Sequence, residues 1–129
     1  MLLVEDDEIT QRVHSVILKE MGFEVEIAIN GEQALEMYGE NLYNLIILDG
    51  GLPDMKGSEV GKRIRYLEKE NKMQKKPILL LSAYPADLLD QWCKEAEIDG
   101  FAIKPICPDK LFSILDGYFN NGVFSERAA

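Results

Sequence analysis

The sequence predicts an α/β domain in which a five-stranded parallel sheet carries helices on both faces. Short apolar runs alternate with longer amphipathic stretches five times along the chain, and two of the runs, 45–48 and 78–81, are apolar without interruption. Strands buried on both faces have such continuous runs, and they occur in parallel sheets whose crossover helices cover both sides. The length of 129 residues fits one such domain.

The first half of the chain predicts three strands and two helices. Leu2–Val4 is the first apolar run, and 23–29 alternates apolar and acidic residues as an outer strand does. Asn30 has the position of a helix N-cap, with Gln33 completing a capping box, and the run 45–48 follows as the third strand. A first helix ending before Gly22 is predicted by apolar residues at helical spacing, namely Ile9, Val13, Val16, Ile17 and Met21.

The second half predicts two further strands, 78–81 and 101–103, and three helices. The charged stretch 68–76 is typical of a solvated helix end and loop. Pro108 suits the first turn of the final helix. The three helices are indicated by apolar residues at helical spacing: Val60, Ile64 and Leu67; Leu88, Leu89, Trp92, Cys93 and Ala96; and Leu111, Ile114, Leu115 and Tyr118.

Composition excludes several classes of function. Fourteen basic against 23 acidic residues give a net charge of −9, which argues against direct binding of nucleic acid. No apolar run approaches the roughly 20 residues of a membrane-spanning helix, so we expect no membrane contact by this domain. Cys93 and Cys107 have no metal-ligand spacing, and we expect two reduced thiols in a cytoplasmic domain, whose parent protein could be anchored in a membrane.

Polar residues with matching chemistry follow four of the predicted strands. Glu5 and Asp6 follow the first, Asp49 the third, Ser82 the fourth and Lys104 the fifth. The carboxyl ends of parallel strands meet at one edge, where α/β sheets form their sites. Each residue alone has an ordinary structural explanation, such as an acid that caps a helix or an Asp that opens a turn. The coincidence at four strand ends favours a functional site.

These side chains suit phosphoryl transfer. Two carboxylates about 4 Å apart repel by roughly 4 kcal/mol at an effective dielectric of about 20, so a cluster of acids calls for a cation. Oxygen ligands suit Mg²⁺. A carboxylate beside Mg²⁺ and a lysine can attack phosphorus, because both cations offset charge on the phosphoryl oxygens, and a hydroxyl such as that of Ser82 can donate to one of them. The product would be an aspartyl phosphate.

The same residues carry a family resemblance. Glu5-Asp6-Asp7, Asp49 with Leu52-Pro53-Asp54-Met55-Lys56-Gly57, Ser82-Ala83 and Lys104-Pro105 together resemble the receiver domain of two-component response regulators. The resemblance extends from Leu2 to about Tyr118. It implies a flavodoxin-like, doubly wound (βα)5 fold with strand order 2-1-3-4-5. We therefore predict a receiver domain over 1–119 and a C-terminal tail over 120–129.

The resemblance also implies a Mg²⁺ site. Asp6 would be a direct ligand and Glu5 would act through water. Asp49 would contribute its carboxylate, and Gly51 its backbone carbonyl, so that the missing side chain of Gly51 is no obstacle.

Further roles follow from the resemblance. Asp49 would accept the phosphoryl group of a phosphohistidine, Lys104 would pair with it, and Ser82 would bind it and shift on activation. The Lys104-Pro105 peptide bond would be cis. Phe101 has the aromatic switch position and, without a hydroxyl, could signal only by packing.

Two positions tune phosphate lifetime in receivers, and here they hold Gly51 and Tyr84. Gly51 cannot orient an attacking water, and Tyr84 could shield the phosphate, so we predict a long-lived phosphate on Asp49. The single histidine, His14, is interpreted as a surface or partner-facing residue rather than a phosphodonor.

The context of the domain has two interpretations. Gln11-Arg12-Val13-His14 and 51–54 resemble receivers fused to hybrid sensor histidine kinases, and the flush start at the first strand suggests a piece of a larger protein. The partner would be a histidine phosphotransfer domain or the histidine kinase core. The alternative is a stand-alone single-domain regulator.

Two other classes of function stay open at this point. The first is a Mg²⁺-dependent aspartyl-phosphate phosphohydrolase of the haloacid dehalogenase type, which would need an Asp where Gly51 stands. The second is a mononucleotide binder, whose phosphate the acids after the first strand would repel.

Overall fold

Five strands and five helices alternate along residues 1–124, the part of the chain that the computed structural model describes. The strands form one parallel sheet in the order β2-β1-β3-β4-β5, which confirms the predicted fold class. Residues 125–129 of the predicted tail lie outside the described part. The elements are β1 (Leu2–Val4), α1 (Glu8–Glu20), β2 (Glu26–Ala28), α2 (Gly31–Glu40), β3 (Ile46–Asp49), α3 (Gly57–Glu70), β4 (Ile78–Ser82), α4 (Ala86–Ala96), β5 (Gly100–Ile103) and α5 (Pro108–Asn121).

The strand register brings the chemistry-bearing residues to one edge of the sheet. Asp49 pairs with Leu81, and Ser82, the next residue of β4, pairs with Ile103. Every residue of β3 and β4 is buried, because helices cover both faces. The side chains of one face pack against α2, α3 and α4, and those of the other pack against α1 and α5.

The local signals for helix starts are found in the structure. The Asn30 side chain accepts a hydrogen bond from the Gln33 N–H at 2.7 Å, and the Gln33 side chain accepts one from the Ile29 N–H at 2.8 Å. Pro108 lies at the start of α5. The predicted outer strand 23–29 is shorter than expected, because only Glu26–Ala28 pairs with β1. None of the helices within residues 1–124 is both long and apolar enough to cross a bilayer.

Only part of the apolar set that predicted α1 is buried. Ile9, Val13 and Val16 are 73%, 42% and 56% exposed, whereas Ile17 and Leu18 are buried against the sheet and α5. At about 100° per residue the apolar side chains of this helix spread over more than half of its circumference, and the sheet and α5 cover only part of that arc. The sequence pattern could not tell which part faces inward.

The start of the predicted solvated stretch 68–76 is also different, since Glu68 is buried. Its carboxylate accepts a hydrogen bond from the Arg65 guanidinium at 2.8 Å and another from the Tyr38 hydroxyl at 2.5 Å. Arg65 is itself buried and also binds the Asp99 carboxylate at 2.8 Å. Charged residues are buried here because each charge has an oppositely charged or hydrogen-bonded partner.

Candidate functional site

A pocket opens at the carboxyl edge of the sheet, and it brings together the side chains predicted from the four strand ends. The ends of β1, β3, β4 and β5 and the loops that follow them form its walls. The lining includes Glu5, Asp6, Asp49, Gly51, Ser82, Tyr84 and Lys104. Phe101, in contrast, is a buried core residue of β5 and is not among the residues that line this pocket.

Asp49 lies at the centre of the pocket and is only 4% exposed. Its Oδ1 accepts a hydrogen bond from the Lys104 ammonium at 2.8 Å and a longer one from the Gly51 N–H at 3.2 Å. Burial alone would raise the pKa of Asp49, but these two donors hold that pKa below its usual value. A carboxylate that stays ionised while buried is available as a nucleophile.

Glu5 is buried beside Asp49 and behaves differently. Burial raises the pKa of Glu5 to about 7, with the neighbouring Asp49 charge adding to the rise and the Asp7 N–H opposing it. The Asp7 N–H donates to Glu5 Oε2 at 3.1 Å, and Gln11 donates to the Glu5 carbonyl at 2.7 Å, so the side chain and the backbone are both fixed. The ionised form of Glu5 is therefore disfavoured beside Asp49, and a cation bound between the two carboxylates would favour it.

The acidic residues after β1 have separate structural roles. Asp7 is the N-cap of α1 and accepts a hydrogen bond from the Thr10 N–H at 2.9 Å. Asp6 instead joins Glu5 and Asp49, and one carboxylate oxygen from each of the three lies within 4.8 Å of the others. Three carboxylate oxygens at this spacing, with Asp6 open to solvent, fit a hard divalent cation that keeps several waters.

Small residues allow the strands to approach one another at the pocket. A Cβ atom at Gly50 would lie 2.8 Å from the Ser82 Cβ and 2.9 Å from its Oγ, so a side chain there would displace the hydroxyl. The Ser82 Oγ accepts a hydrogen bond from the Tyr84 N–H at 3.3 Å, and the Ser82 carbonyl accepts one from the Lys104 N–H at 2.8 Å. These contacts hold Ser82 and Lys104 next to Asp49. The Lys104-Pro105 peptide bond is cis, as expected.

Asp54 has a structural role that the sequence interpretation did not assign. Its two carboxylate oxygens accept hydrogen bonds from the Gly31 and Glu32 N–H groups, both at 2.9 Å. These donors lower the pKa of Asp54, and they anchor the β3–α3 loop, which includes Gly51, to the start of α2. No local pattern could have revealed these contacts, because Glu32 and Gly31 precede Asp54 by 22 and 23 residues.

The interpretation of His14 as a surface residue is wrong. His14 is 4% exposed, its buried Nδ1 has no hydrogen-bond partner among the described residues, and the ring lines a second cleft with Lys104 and Pro105. Burial lowers the pKa of His14, the Lys104 charge lowers it further, and the Ile106 carbonyl opposes both. Burial in this position therefore favours the neutral imidazole over the charged one.

We expect the contribution of His14 to stability to depend on pH. The unfolded imidazole has a pKa of 6.5 and the folded one a lower pKa, so the unfolded chain binds the proton more readily. Stability from neutral His14 is thus fully present above pH about 6.5 and falls below it. In urea titrations, lowering the pH from 7.5 to 5 should reduce the free energy of unfolding of wild type by about 1 kcal/mol more than that of His14→Gln. A pH-independent difference would contradict this.

A sequence comparison with protein families matches residues 1–116 to the response regulator receiver domain. The peroxide stress-activated histidine kinase mak1 of Schizosaccharomyces pombe is 34% identical over 122 residues, which is 92% of this chain and 7% of the relative. The receiver domain of the sensor histidine kinase PA1611 from Pseudomonas aeruginosa, solved with a magnesium ion in the active site cleft, is similar in structure with a TM-score of 0.77. It is 28% identical, and the match covers 93% of this chain and 96% of that one.

A second similar structure is the receiver domain of Ssk1 from Saccharomyces cerevisiae, co-crystallised with the histidine phosphotransfer protein Ypd1. Its TM-score is 0.84 at 24% identity, with 97% of this chain and 91% of that chain covered, so this likeness concerns the fold alone. The fold and the acidic pocket define a receiver-type α/β domain, and the chain belongs to the response regulator receiver domain family. It spans only 5 to 7% of the length of the first curated relatives, which are histidine kinases.

Proposed function

We propose that this domain accepts a phosphoryl group on Asp49 and acts as a switch in two-component signalling. One observation carries the proposal: the buried Asp49 carboxylate lies 2.8 Å from the Lys104 ammonium and next to two further carboxylates, all within 4.8 Å. An ionised nucleophile, a cation and an acidic cluster at one pocket suit transfer to a carboxylate. As an isolated domain it would promote only its own phosphorylation and dephosphorylation.

The proposed reaction transfers the phosphoryl group from a histidine. An oxygen of the Asp49 carboxylate forms a bond to phosphorus, the phosphorus–nitrogen bond of the phosphohistidine breaks, and the imidazole leaves with the electron pair and takes up a proton. Lys104 offsets the charge on the phosphoryl oxygens, and the Ser82 hydroxyl, whose oxygen accepts from the Tyr84 N–H, can donate its own hydrogen to one of them. These roles suit the positions of both side chains in the pocket wall.

The acidic residues fit Mg²⁺ as the cofactor. Asp6 and Asp49 would bind it directly, Glu5 through water, and Gly51 through its backbone carbonyl, since Asp6 and Gly51 are both exposed at the pocket. When bound, the ion would neutralise phosphoryl oxygens and draw the incoming group to the carboxylate. We expect little phosphorylation without it, because three acids facing a phosphoryl group repel it.

The exposed row of α1 supports a partner that carries the phosphohistidine. Ile9, Val13 and Val16 form this apolar row, and Thr10 of the same helix lines the Asp49 pocket. A domain that brings a histidine to Asp49 must cover this region, and apolar side chains at the centre of a contact exclude water. We propose a histidine phosphotransfer domain or a histidine kinase, as Ypd1 is for Ssk1 in their complex.

The parent chain is proposed to be a hybrid histidine kinase. The curated relatives include hybrid signal transduction histidine kinases of Dictyostelium discoideum, of which this chain matches a small part. We expect such a receiver to work in the cytoplasm. The alternative is a stand-alone regulator. The reading frame on both sides of the segment would distinguish the two.

The proposal is tested by mass measurement on intact protein. With acetyl phosphate and Mg²⁺, wild type should gain one phosphoryl group, and Asp49→Asn, which keeps the size of the side chain, should gain none. Omitting Mg²⁺ should abolish the gain for wild type. Equal phosphorylation of both proteins would show that the acceptor is a residue other than Asp49. The absence of phosphorylation in wild type would overturn the proposal.

The phosphate on Asp49 is expected to be long-lived, and Gly51 offers a test of the cause. A Cβ atom at Gly51 would meet no atom within 4 Å, so this position accepts a side chain. We expect Gly51→Asn to lose the phosphoryl group about tenfold faster, because its amide can orient an attacking water. The measurement is the decay of the phosphorylated mass after the donor is removed. Gly51→Ala should decay like wild type, and rapid decay of wild type would contradict the expectation.

A further inference from the structure

A cluster of one lysine and two aromatic rings joins the two loops that flank the Asp49 pocket. The Tyr84 and Trp92 rings meet edge to face, with centroids 5.0 Å apart and an interplanar angle of 70°. The Lys56 ammonium lies over the Trp92 ring, 5.6 Å from its centroid. Lys56, Trp92 and Tyr84 are called the clasp below.

The clasp connects directly to residues of the pocket. Lys56 forms a β-bridge with Gly51 at the other end of the β3–α3 loop. Tyr84 lines the pocket, and its N–H donates to the Ser82 Oγ at 3.3 Å. Trp92 lies between them on α4 and packs against the hydrophobic core. The clasp therefore joins the loop of the proposed acceptor to the loop of the proposed switch hydroxyl.

Tyr84 needs these contacts to keep a fixed position. Its side chain is on a loop and it is 47% exposed, so little else restricts the ring. Trp92 is anchored by the core, and the cation over its face draws the β3–α3 loop toward the same ring. An exposed ring at a pocket wall excludes water only as long as its neighbours keep it there.

We propose that Lys56 and Trp92 are positioning residues that hold the Tyr84 ring at the pocket wall and so slow hydrolysis of the phosphoryl group on Asp49. The proposal rests on the proposed function. In that hydrolysis a water oxygen forms a bond to phosphorus and the bond to the Asp49 oxygen breaks. The Asp49 carboxylate and inorganic phosphate are the products, and the water releases a proton to solvent. The ring would limit the approach of that water.

Lys56→Ala is the variant of choice. Lys56 is exposed and makes no side-chain hydrogen bond as the residue that precedes α3, so its removal leaves the helix start intact. Phosphorylated Lys56→Ala should lose its phosphoryl group about threefold faster than wild type, the change expected from one exposed cation–π contact. Lys56→Arg, which keeps a cation able to stack on the ring, should restore the wild-type rate. Lys62→Ala, which removes an exposed lysine of α3, is the matched control and should show no change.

A double variant tests whether Lys56 acts through Tyr84. Tyr84→Ala should also speed the loss, and adding Lys56→Ala to it should have no further effect. A wild-type rate in Lys56→Ala, or an undiminished effect of Lys56→Ala in the absence of Tyr84, would overturn the clasp. An effect on unfolding in urea with an unchanged hydrolysis rate would assign the cluster to the packing of α4 and overturn it as well. If wild type takes up no phosphoryl group, both the proposed function and the clasp are rejected. If wild type is phosphorylated but one of the contrary results above is found, only the clasp is rejected.

Discussion

Replacing Arg65 by methionine will lower the free energy of unfolding by about 3–5 kcal/mol, the cost of removing one partner from a buried ion pair. The Arg65 guanidinium donates to Glu68 Oε1 at 2.8 Å, to Asp99 Oδ2 at 2.8 Å, and to the carbonyls of Lys76 and Glu97 at 2.8 and 2.9 Å. Without it, the Glu68 carboxylate stays buried with no opposite charge. A domain of this size is typically stable by only about 5–15 kcal/mol, so the loss would be a large part of the total.

The chain offers a matched control in Arg63, on the same helix. Arg63 pairs with Glu59 at 3.2 Å, but the two side chains are 57% and 43% exposed. Arg63→Met should therefore cost no more than about 0.5 kcal/mol in urea titrations. If the buried charge is the cause, adding Glu68→Gln to Arg65→Met should recover part of the loss. Equal effects of Arg63→Met and Arg65→Met would contradict this explanation.

The Arg65 network lies at the end of the sheet opposite the pocket. The Asp99 carboxylate that binds Arg65 also accepts a hydrogen bond from the N–H of Ile78, the first residue of β4, whereas Ser82 ends the same strand at the pocket. The network stabilises the amino end of the sheet, whereas the acidic residues of the pocket lie at the carboxyl end. We therefore expect Arg65→Met to affect stability far more than the chemistry at Asp49.

The positions of the pocket residues could be predicted from the sequence because the geometry of a parallel sheet is so regular. Once four apolar runs are taken as parallel strands, the residue after each run lies at the same edge. Asp49, Ser82 and Lys104 needed no further information to be brought together. The helix start at Asn30 was equally predictable, since an N-cap and its partner are close in sequence.

The features that could not be predicted depend on contacts between distant parts of the chain. Arg65 and Asp99 look like surface charges in sequence, and only the fold makes them partners across 34 residues. His14 is buried beside the loop after β5, a contact between distant residues that no helical pattern reveals. For α1, the apolar side chains spread over more than half of the helix, and the sheet and α5 determine that Leu18 rather than Val13 faces inward.

The second large effect is expected at Lys104. Among the described residues, its side chain is the only cationic one within hydrogen-bonding distance of the Asp49 carboxylate. Lys104→Met should slow phosphorylation by acetyl phosphate about 10²–10³-fold, the range for loss of one donor that stabilises developing charge. The pKa of Asp49 should also rise, because the ammonium is the main cause that holds it down against burial. The measurement is the initial rate of mass gain at saturating Mg²⁺ and fixed pH.

Two further variants separate charge from placement at this position. Lys94→Met, which removes an exposed lysine paired with Asp90, should leave the rate unchanged and controls for the change in net charge. Lys104→Arg keeps the charge but replaces a compact ammonium with a longer, planar group, so it should recover only part of the rate. A wild-type rate in Lys104→Met would mean that the 2.8 Å contact with Asp49 serves the resting pocket alone, and that the phosphoryl oxygens find their counter-charge elsewhere.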